Sequence, residues 1–274
     1  MTGNRVPTPN SHLPRSKNSQ CWKSGVAKWA LIVAALLVLV APGASAQRGA
    51  AAAPSAWAAA PVDLTGYWVA VISEDWRWRM VTPAKGDYAS IPLTQAGKTL
   101  ADTWDPVKDQ SAGEQCKSYG APGLMRAPTR LHITWQDDRT LKIESDYGTQ
   151  TRLLHFSPAK PAGGPPSVQG DSVAQWEAPP AARGGGAPAS GNLKVVTTNL
   201  RPGYLRKNGV PYSASTQLTE YWDLFRAPGG EPLLVITSIV RDPENLQRDW
   251  LTSLNFRKEP NGAKWDPTPC STTW

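Results

Sequence analysis

Residues Leu64–Ile72 read LTGYWVAVI. In an extended chain successive side chains point to opposite faces, so Leu64, Gly66, Trp68, Ala70 and Ile72 share one face. The run is short, rich in β-branched and aromatic residues, and followed by polar turn residues at Ser73-Glu74-Asp75, as a strand would be. The same signature recurs at Trp76–Val81, Arg130–Gln136, Arg139–Ser145 and Thr149–Phe156. It returns at Ser172–Glu177, Leu193–Leu200, Thr216–Phe225, Leu233–Val240 and Trp250–Arg257. Asp137-Asp138 and Asp146-Tyr147-Gly148 are connections of hairpin size. Strand after strand with short turns predicts an all-β fold, an antiparallel up-and-down meander closing into a barrel, and not alternating βαβ units. One short helix interrupts it. Thr94 caps this helix, Leu93, Ala96, Leu100 and Trp104 lie near one face, and Asp105-Pro106 ends it.

The N-terminus has to be set aside before charge is read. Lys23 and Lys28 precede an apolar run from Trp29 to Val40 that ends in Pro42-Gly43-Ala44-Ser45-Ala46, a secretory signal with an Ala-x-Ala cleavage site after Ala46. The run falls short of the roughly twenty residues a spanning helix needs. Residues 1–46 are therefore read as the signal, 47–61 as a disordered Ala-rich leader, and 62–274 as one domain with no membrane span. Removing the signal takes away Arg5, Arg15, Lys17, Lys23 and Lys28 and no acid, so the formal charge falls from +7 to +7 − 5 = +2. No basic stripe remains between Ala60 and Trp274, which argues against a nucleic-acid partner.

Of the three cysteines, Cys21 leaves with the signal. Cys116 and Cys270 remain, in a compartment where disulfides persist, and are expected to pair. The alternative, a reactive thiol or metal ligand, has only His132 and His155 to draw on, and the sequence predicts neither a metal nor a cofactor. Two segments carry no periodicity, 157–170 and 178–191. The second, APPAARGGGAPASG, reads as a lengthened, flexible hairpin loop.

Gly66-Tyr67-Trp68 at the start of the first strand resembles the Gly-x-Trp opening of lipocalins. That resemblance implies a lipocalin-like barrel whose Trp68 plugs the closed end, with a basic residue of the last strand, Arg257 or Lys258, stacked on it. A broader resemblance, to a family of secreted bacterial proteins, is carried by Cys116–Met125 (CKSYGAPGLM), Ser172–Glu177 (SVAQWE), Leu218-Thr219-Glu220 and Asp242-Pro243. In that family the strand ending in Trp-Glu turns through Gly-Asp into the next one, where this chain has its low-complexity loop. The resemblance implies a shared fold and export, and no catalytic residues.

The stretch Glu74–Met80, EDWRWRM, alternates Trp with Arg. If the phase of the first strand continues, Trp76, Trp78 and Met80 face the barrel interior and Arg77 and Arg79 face solvent; the turn at Ser73–Asp75 could reset it. The opposite phase would aim Arg77 and Arg79 at an anionic ligand. Trp135, Trp176 and Trp222 lie in other strands, and so many indoles suit a cavity for a ring-shaped or amphipathic small molecule as well as they suit a Trp-rich core. No Gly-x-Ser-x-Gly, His-Glu-x-x-His or glycine-rich phosphate loop is present. His132 and His155 read as strand histidines. Glu144, Glu177 and Glu220 could do acid–base work only if two met in a cavity. The leading expectation is a secreted or periplasmic binding protein for a small apolar or amphipathic ligand. An isomerase or cyclase on the same barrel and a structural envelope protein with a filled core are the alternatives. N-terminal sequencing of exported protein is expected to begin near Gln47; retention of Trp29–Val40 would overturn the signal assignment.

Overall fold

The computed structural model describes residues 54–156, 164–178 and 190–273. Its strands are β1 (Gly66–Val71), β2 (Arg130–Asp137), β3 (Thr140–Ser145), β4 (Gln150–Phe156), β5 (Asp171–Glu177), β6 (Asn192–Thr198), β7 (Gly203–Arg206), β8 (Val210–Tyr212), β9 (Gln217–Arg226), β10 (Pro232–Arg241) and β11 (Trp250–Glu259). Nine of them close a barrel in the order β1-β11-β10-β9-β6-β5-β4-β3-β2, and β7 and β8 form a separate hairpin. The all-β reading holds, with one correction. An odd number of strands cannot close a ring with every neighbour antiparallel, and here β4 and β5 run parallel, Leu154 opposite Ser172 and Phe156 opposite Ala174. The signal, its cleavage site and residues 157–163 and 179–189 of the two loops lie outside the described residues.

Inward positions fill the barrel with Leu131, Ile133, Leu141, Ile143, Leu154, Val195, Trp222, Ile236, Leu254 and Phe256. Trp68 is fully buried among them and donates from Nε1 to Leu64 O at 2.9 Å. The cation over its ring is Lys258, with Nζ 5.3 Å from the centroid. Arg257, one step out of phase, pairs with Val69 and points to solvent, so the partner of Trp68 is corrected to Lys258. Gly66 lies at φ 105°, and a Cβ there would come within 3.2 Å of Lys258 Cε, so glycine both takes the turn and leaves room for the lysine stem. Deeper in the barrel Arg152 is fully buried against Glu220 and also donates to Ser172 and Thr197.

The single expected helix is four. They are α1 (Trp76–Arg79), α2 (Gln95–Ala101), α3 (Pro106–Ser111) and α4 (Ala121–Leu124), and Lys117–Tyr119 adds a 3-10 turn. Thr94 caps α2 as read, accepting from Gly97 N at 2.9 Å. Its buried face is Gly97 and Ala101, while Ala96 and Leu100 are exposed. Asp105-Pro106 ends nothing; Asp105 caps α3, with Pro106 in its first turn. Together with the β7–β8 hairpin these elements cover one barrel end around a second core of Leu93, Ala121, Leu205, Val210, Tyr212 and Leu246, joined to Leu218, Val240 and Trp250 at the strand ends. At the other end the described part of the leader is ordered against the barrel: Trp57 N donates to Asp138 O, and Trp176 Nε1 to Ala56 O.

The expected strand Trp76–Val81 does not form. Asp75 takes a left-handed conformation, φ 56°, which Asp tolerates better than most residues. The chain then makes one helical turn in which Trp76 and Met80, four apart, face solvent and Arg79 faces in. Arg79 is 1% exposed and Trp76 61% exposed, the reverse of the expected phase. Replacing Trp68 or Trp222 by Ala is expected to cost about 3–5 kcal/mol, the cost of deleting a buried ring. Trp76→Ala should stay within about 0.5 kcal/mol of wild type, as surface changes do. Denaturant titration of the single variants measures all three.

Candidate functional site

The short elements of the cap bring basic side chains together where few acids follow. α1 supplies Arg79, the end of α4 supplies Arg126, and the turn of the β7–β8 hairpin supplies Arg206 and Lys207; each is at most 6% exposed. With Trp78 and Tyr119 they line a cavity holding about 20 Å³ of water-accessible room. A single water needs roughly 10–15 Å³, so the cavity as it stands takes about one water, and a larger group would have to move its lining side chains. Gly123 forms part of its wall, where a Cβ would meet Tyr204 O at 2.8 Å and Ser118 O at 2.9 Å.

The hydrogen bonds divide these cations. Arg79 donates from Nε to Arg126 O at 2.9 Å and from Nη1 to Glu74 Oε1 at 3.1 Å, and its buried Nη2 has no acceptor among the described residues. Arg126 donates to Asp75 Oδ2 at 3.0 Å and lies 4.9 Å above the Trp250 ring. Arg206 donates to Ala89 O at 2.8 Å and Ser90 Oγ at 2.9 Å, and its buried Nε has no acceptor among the described residues. No carboxylate among the described residues lies within ion-pair distance of Arg206. Trp78 holds that guanidinium in place, with Arg206 4.8 Å and Arg77 4.6 Å from its ring centroid. The three N–H groups of Lys207 Nζ are shared among four oxygens, Tyr119 OH at 2.7 Å, Tyr147 OH at 3.1 Å, and the carbonyls of Ser271 and Thr273 at 3.1 Å each.

The electrostatics follow from burial. It lowers Arg79 and Arg206 to about 10, with repulsion from Arg126 as the second cause in each, and lowers Arg126 as well. Burial takes Lys207 down to about 8. All four remain cations at neutral pH, held in a low-dielectric pocket at a cost that an anion would relieve.

The expected site residues scatter. Only Trp78 and Arg79 line this cavity. Trp76 is exposed, and Arg77 makes an exposed ion pair with Asp87 at 2.6 Å, not with Asp75. Trp222 is buried in the barrel core. Trp135 and Trp176 flank Phe156 at the opposite barrel end, with ring centroids 5.5 and 5.3 Å from it. Cys116 and Cys270 form the expected disulfide, which ties the segment carrying Ser271 to the cap. Glu144, Glu177 and Glu220 each pair with a different cation: Lys142, Lys194 and Arg152. His132 stacks on Tyr67 and faces Glu144, and His155 lies beside Thr140. Among the described residues no three His, Cys, Asp or Glu side chains are placed to hold a metal.

Arg126, Arg206 and Lys207 were not legible as site residues. The signal for the last two is Asn208-Gly209, the commonest hairpin turn pair, inside YLRKNGVPY. No family model, curated protein or solved structure matches this chain.

The cap also fixes an alkaline limit. Tyr88 is raised to about 12 by burial and by Asp102, and burial raises Tyr119, Tyr147, Tyr204 and Tyr212 above the ordinary tyrosine range. A folded-state pKa above the unfolded value means stability fully present below about pH 10 and lost as pH climbs through the folded values. Tyrosinate absorbance is expected to appear for these five only as the chain unfolds above about pH 10, together with loss of circular dichroism.

Proposed function

We propose that this chain is an exported binding protein whose ligand presents a small oxyanion, a carboxylate, sulfate or phosphate ester, to the cap pocket. The observation that carries this reading is the pair of buried guanidinium N–H groups without acceptors among the described residues, Arg79 Nη2 and Arg206 Nε, on two residues that line one cavity. Buried polar groups are nearly always satisfied, and buried charges are nearly always paired, so a pocket that fails both rules in the same place reads as built for a counter-ion. Arginine suits this role because its planar donors match carboxylates and tetrahedral oxyanions in pairs.

The barrel axis offers less. It is filled by Trp68, Trp222, Phe256 and their aliphatic neighbours, and its charged pair, Arg152 and Glu220, is neutral as a unit. The expected small ligand is therefore assigned to the cap, with Trp78 as the aromatic wall. Export is supported by the leader sequence and by a disulfide between cysteines 154 residues apart. No helix among the described residues is long and apolar enough to cross a membrane.

Binding of an anion to the folded state alone stabilises it. Sulfate at about a hundred times its dissociation constant is expected to add about 2.7 kcal/mol, read as a rise in melting temperature absent with equal chloride. Arg206→Met should weaken sulfate binding by roughly ten-fold or more, as the loss of a charged hydrogen bond does. Calorimetric titration of both proteins at one ionic strength measures it. No sulfate-specific stabilisation of the wild type would sink the reading.

A further inference from the structure

The helical turn that feeds the pocket also carries exposed apolar side chains. Eight large hydrophobic side chains of the described residues are exposed, and three of them, Trp76 at 61%, Met80 at 48% and Val81 at 49%, fall within six consecutive positions. Trp76 and Met80 stand four residues apart on one turn, with Met80 N bonded to Trp76 O at 2.8 Å, so their side chains share a face. The same turn supplies Trp78 and Arg79 to the cavity. A patch of this kind beside polar groups marks a contact surface more often than an isolated exposed leucine does.

Several features hold this arrangement against its own cost. Asp75 occupies a left-handed conformation and is fixed there by Arg126, while its carbonyl accepts from Trp78 N and Arg79 N. Arg77 is anchored to Asp87, and Trp78 Nε1 donates to the same carboxylate oxygen at 3.0 Å. The turn is thus pinned by its polar residues at Asp75, Arg77, Trp78 and Arg79, while the apolar residues at its two ends are left bare. Folding alone gives no reason to expose Trp76 and Met80, because nothing in the core depends on them.

Resting on the oxyanion reading of the pocket, we infer that the ligand is an anionic amphiphile: its head group enters the pocket and its apolar chain lies outside, across Trp76, Met80 and Val81. The geometry allows this division because the cavity, which a head group would have to widen, has no room for a chain, its arginines hold unpartnered donors among the described residues, and apolar side chains stand on the same helical turn as Trp78 and Arg79. The head group could belong to a free amphiphile or to a lipid in a bilayer surface, and the two sources are separable by experiment.

The test uses the full exported chain titrated with inorganic phosphate, with dodecyl phosphate below its micelle concentration, and with vesicles of phosphatidylglycerol or of phosphatidylcholine. Dodecyl phosphate is expected to bind at least about ten-fold tighter than phosphate, the contribution of a few partly buried methylenes. In Trp76→Ser/Met80→Ser that advantage should shrink several-fold, and because both side chains are exposed the variant should melt with the wild type. Co-sedimentation with phosphatidylglycerol but not phosphatidylcholine vesicles, lost in the double variant, assigns the head group to a lipid surface. Binding of dodecyl phosphate without vesicle binding assigns it to a free amphiphile. Equal affinity for phosphate and dodecyl phosphate overturns the amphiphile and leaves the oxyanion pocket standing. No binding of either anion overturns both.

Discussion

Closure with nine strands is the constraint from which the rest of the architecture follows. Eight strands could meander up and down and meet antiparallel at the seam; nine cannot. Somewhere the chain has to cross back over the length of the barrel and start again in the same direction. It does so between β4 and β5, and residues 157–170, which lack any strand pattern, are the connection that parity demands. Parallel neighbours need a connection of a dozen or so residues, and this segment has that length. A second departure, between β6 and β9, is spent on the β7–β8 hairpin, and that excursion covers one barrel end.

The two buried charge systems show what the covering creates. Inside the barrel Arg152 meets Glu220 and two hydroxyls, so its charge is neutralised locally, although Arg152 Nη1 and Glu220 Oε1 find no partner among the described residues. In the cap, Arg79 pairs with Glu74 and Arg126 with Asp75, Arg206 has no carboxylate among the described residues within ion-pair distance, and the repulsion of Arg126 acts on both other guanidiniums. Carbonyls and aromatic faces stabilise these cations without neutralising them. The first arrangement is a charge-balanced pair inside the barrel. The second carries an excess of cations over carboxylates, with buried donors on residues that line a small cavity.

Much of the barrel was legible because a half-buried strand writes its period into the sequence, as NLKVVTT does at β6 with alternating burial. Trp68 was legible for the same reason. Its partner was not, because Arg257 and Lys258 are chemically alike and only the strand phase separates them. The stretch at Trp76 failed on length: four residues satisfy a period of two and a helical turn equally well, and the deciding residue, Asp75, acts through its backbone. The site was hidden for a different reason. Arg79, Arg126 and Arg206 come from three distant segments, each ordinary by itself, and only the cap places them together. Loops and short turns hold little periodicity, so the part of the chain carrying the candidate chemistry is the part a pattern describes least.

The barrel seam joins β1 to β11, the first and last strands of the sheet, with Trp68 opposite Lys258. Both edges of the sheet therefore remain unpaired until nearly the whole chain is available. A chain emerging from a ribosome or a translocation pore with its N-terminus first cannot complete this structure early; it carries an open edge, prone to pairing with other chains, until its final residues arrive. The Cys116–Cys270 bond falls under the same timing, since its second cysteine lies beyond β11. Sheet closure and oxidation are thus both late events. If the chain, exported as proposed above, crosses the membrane unfolded, that delay keeps it threadable on one side and lets it lock on the other.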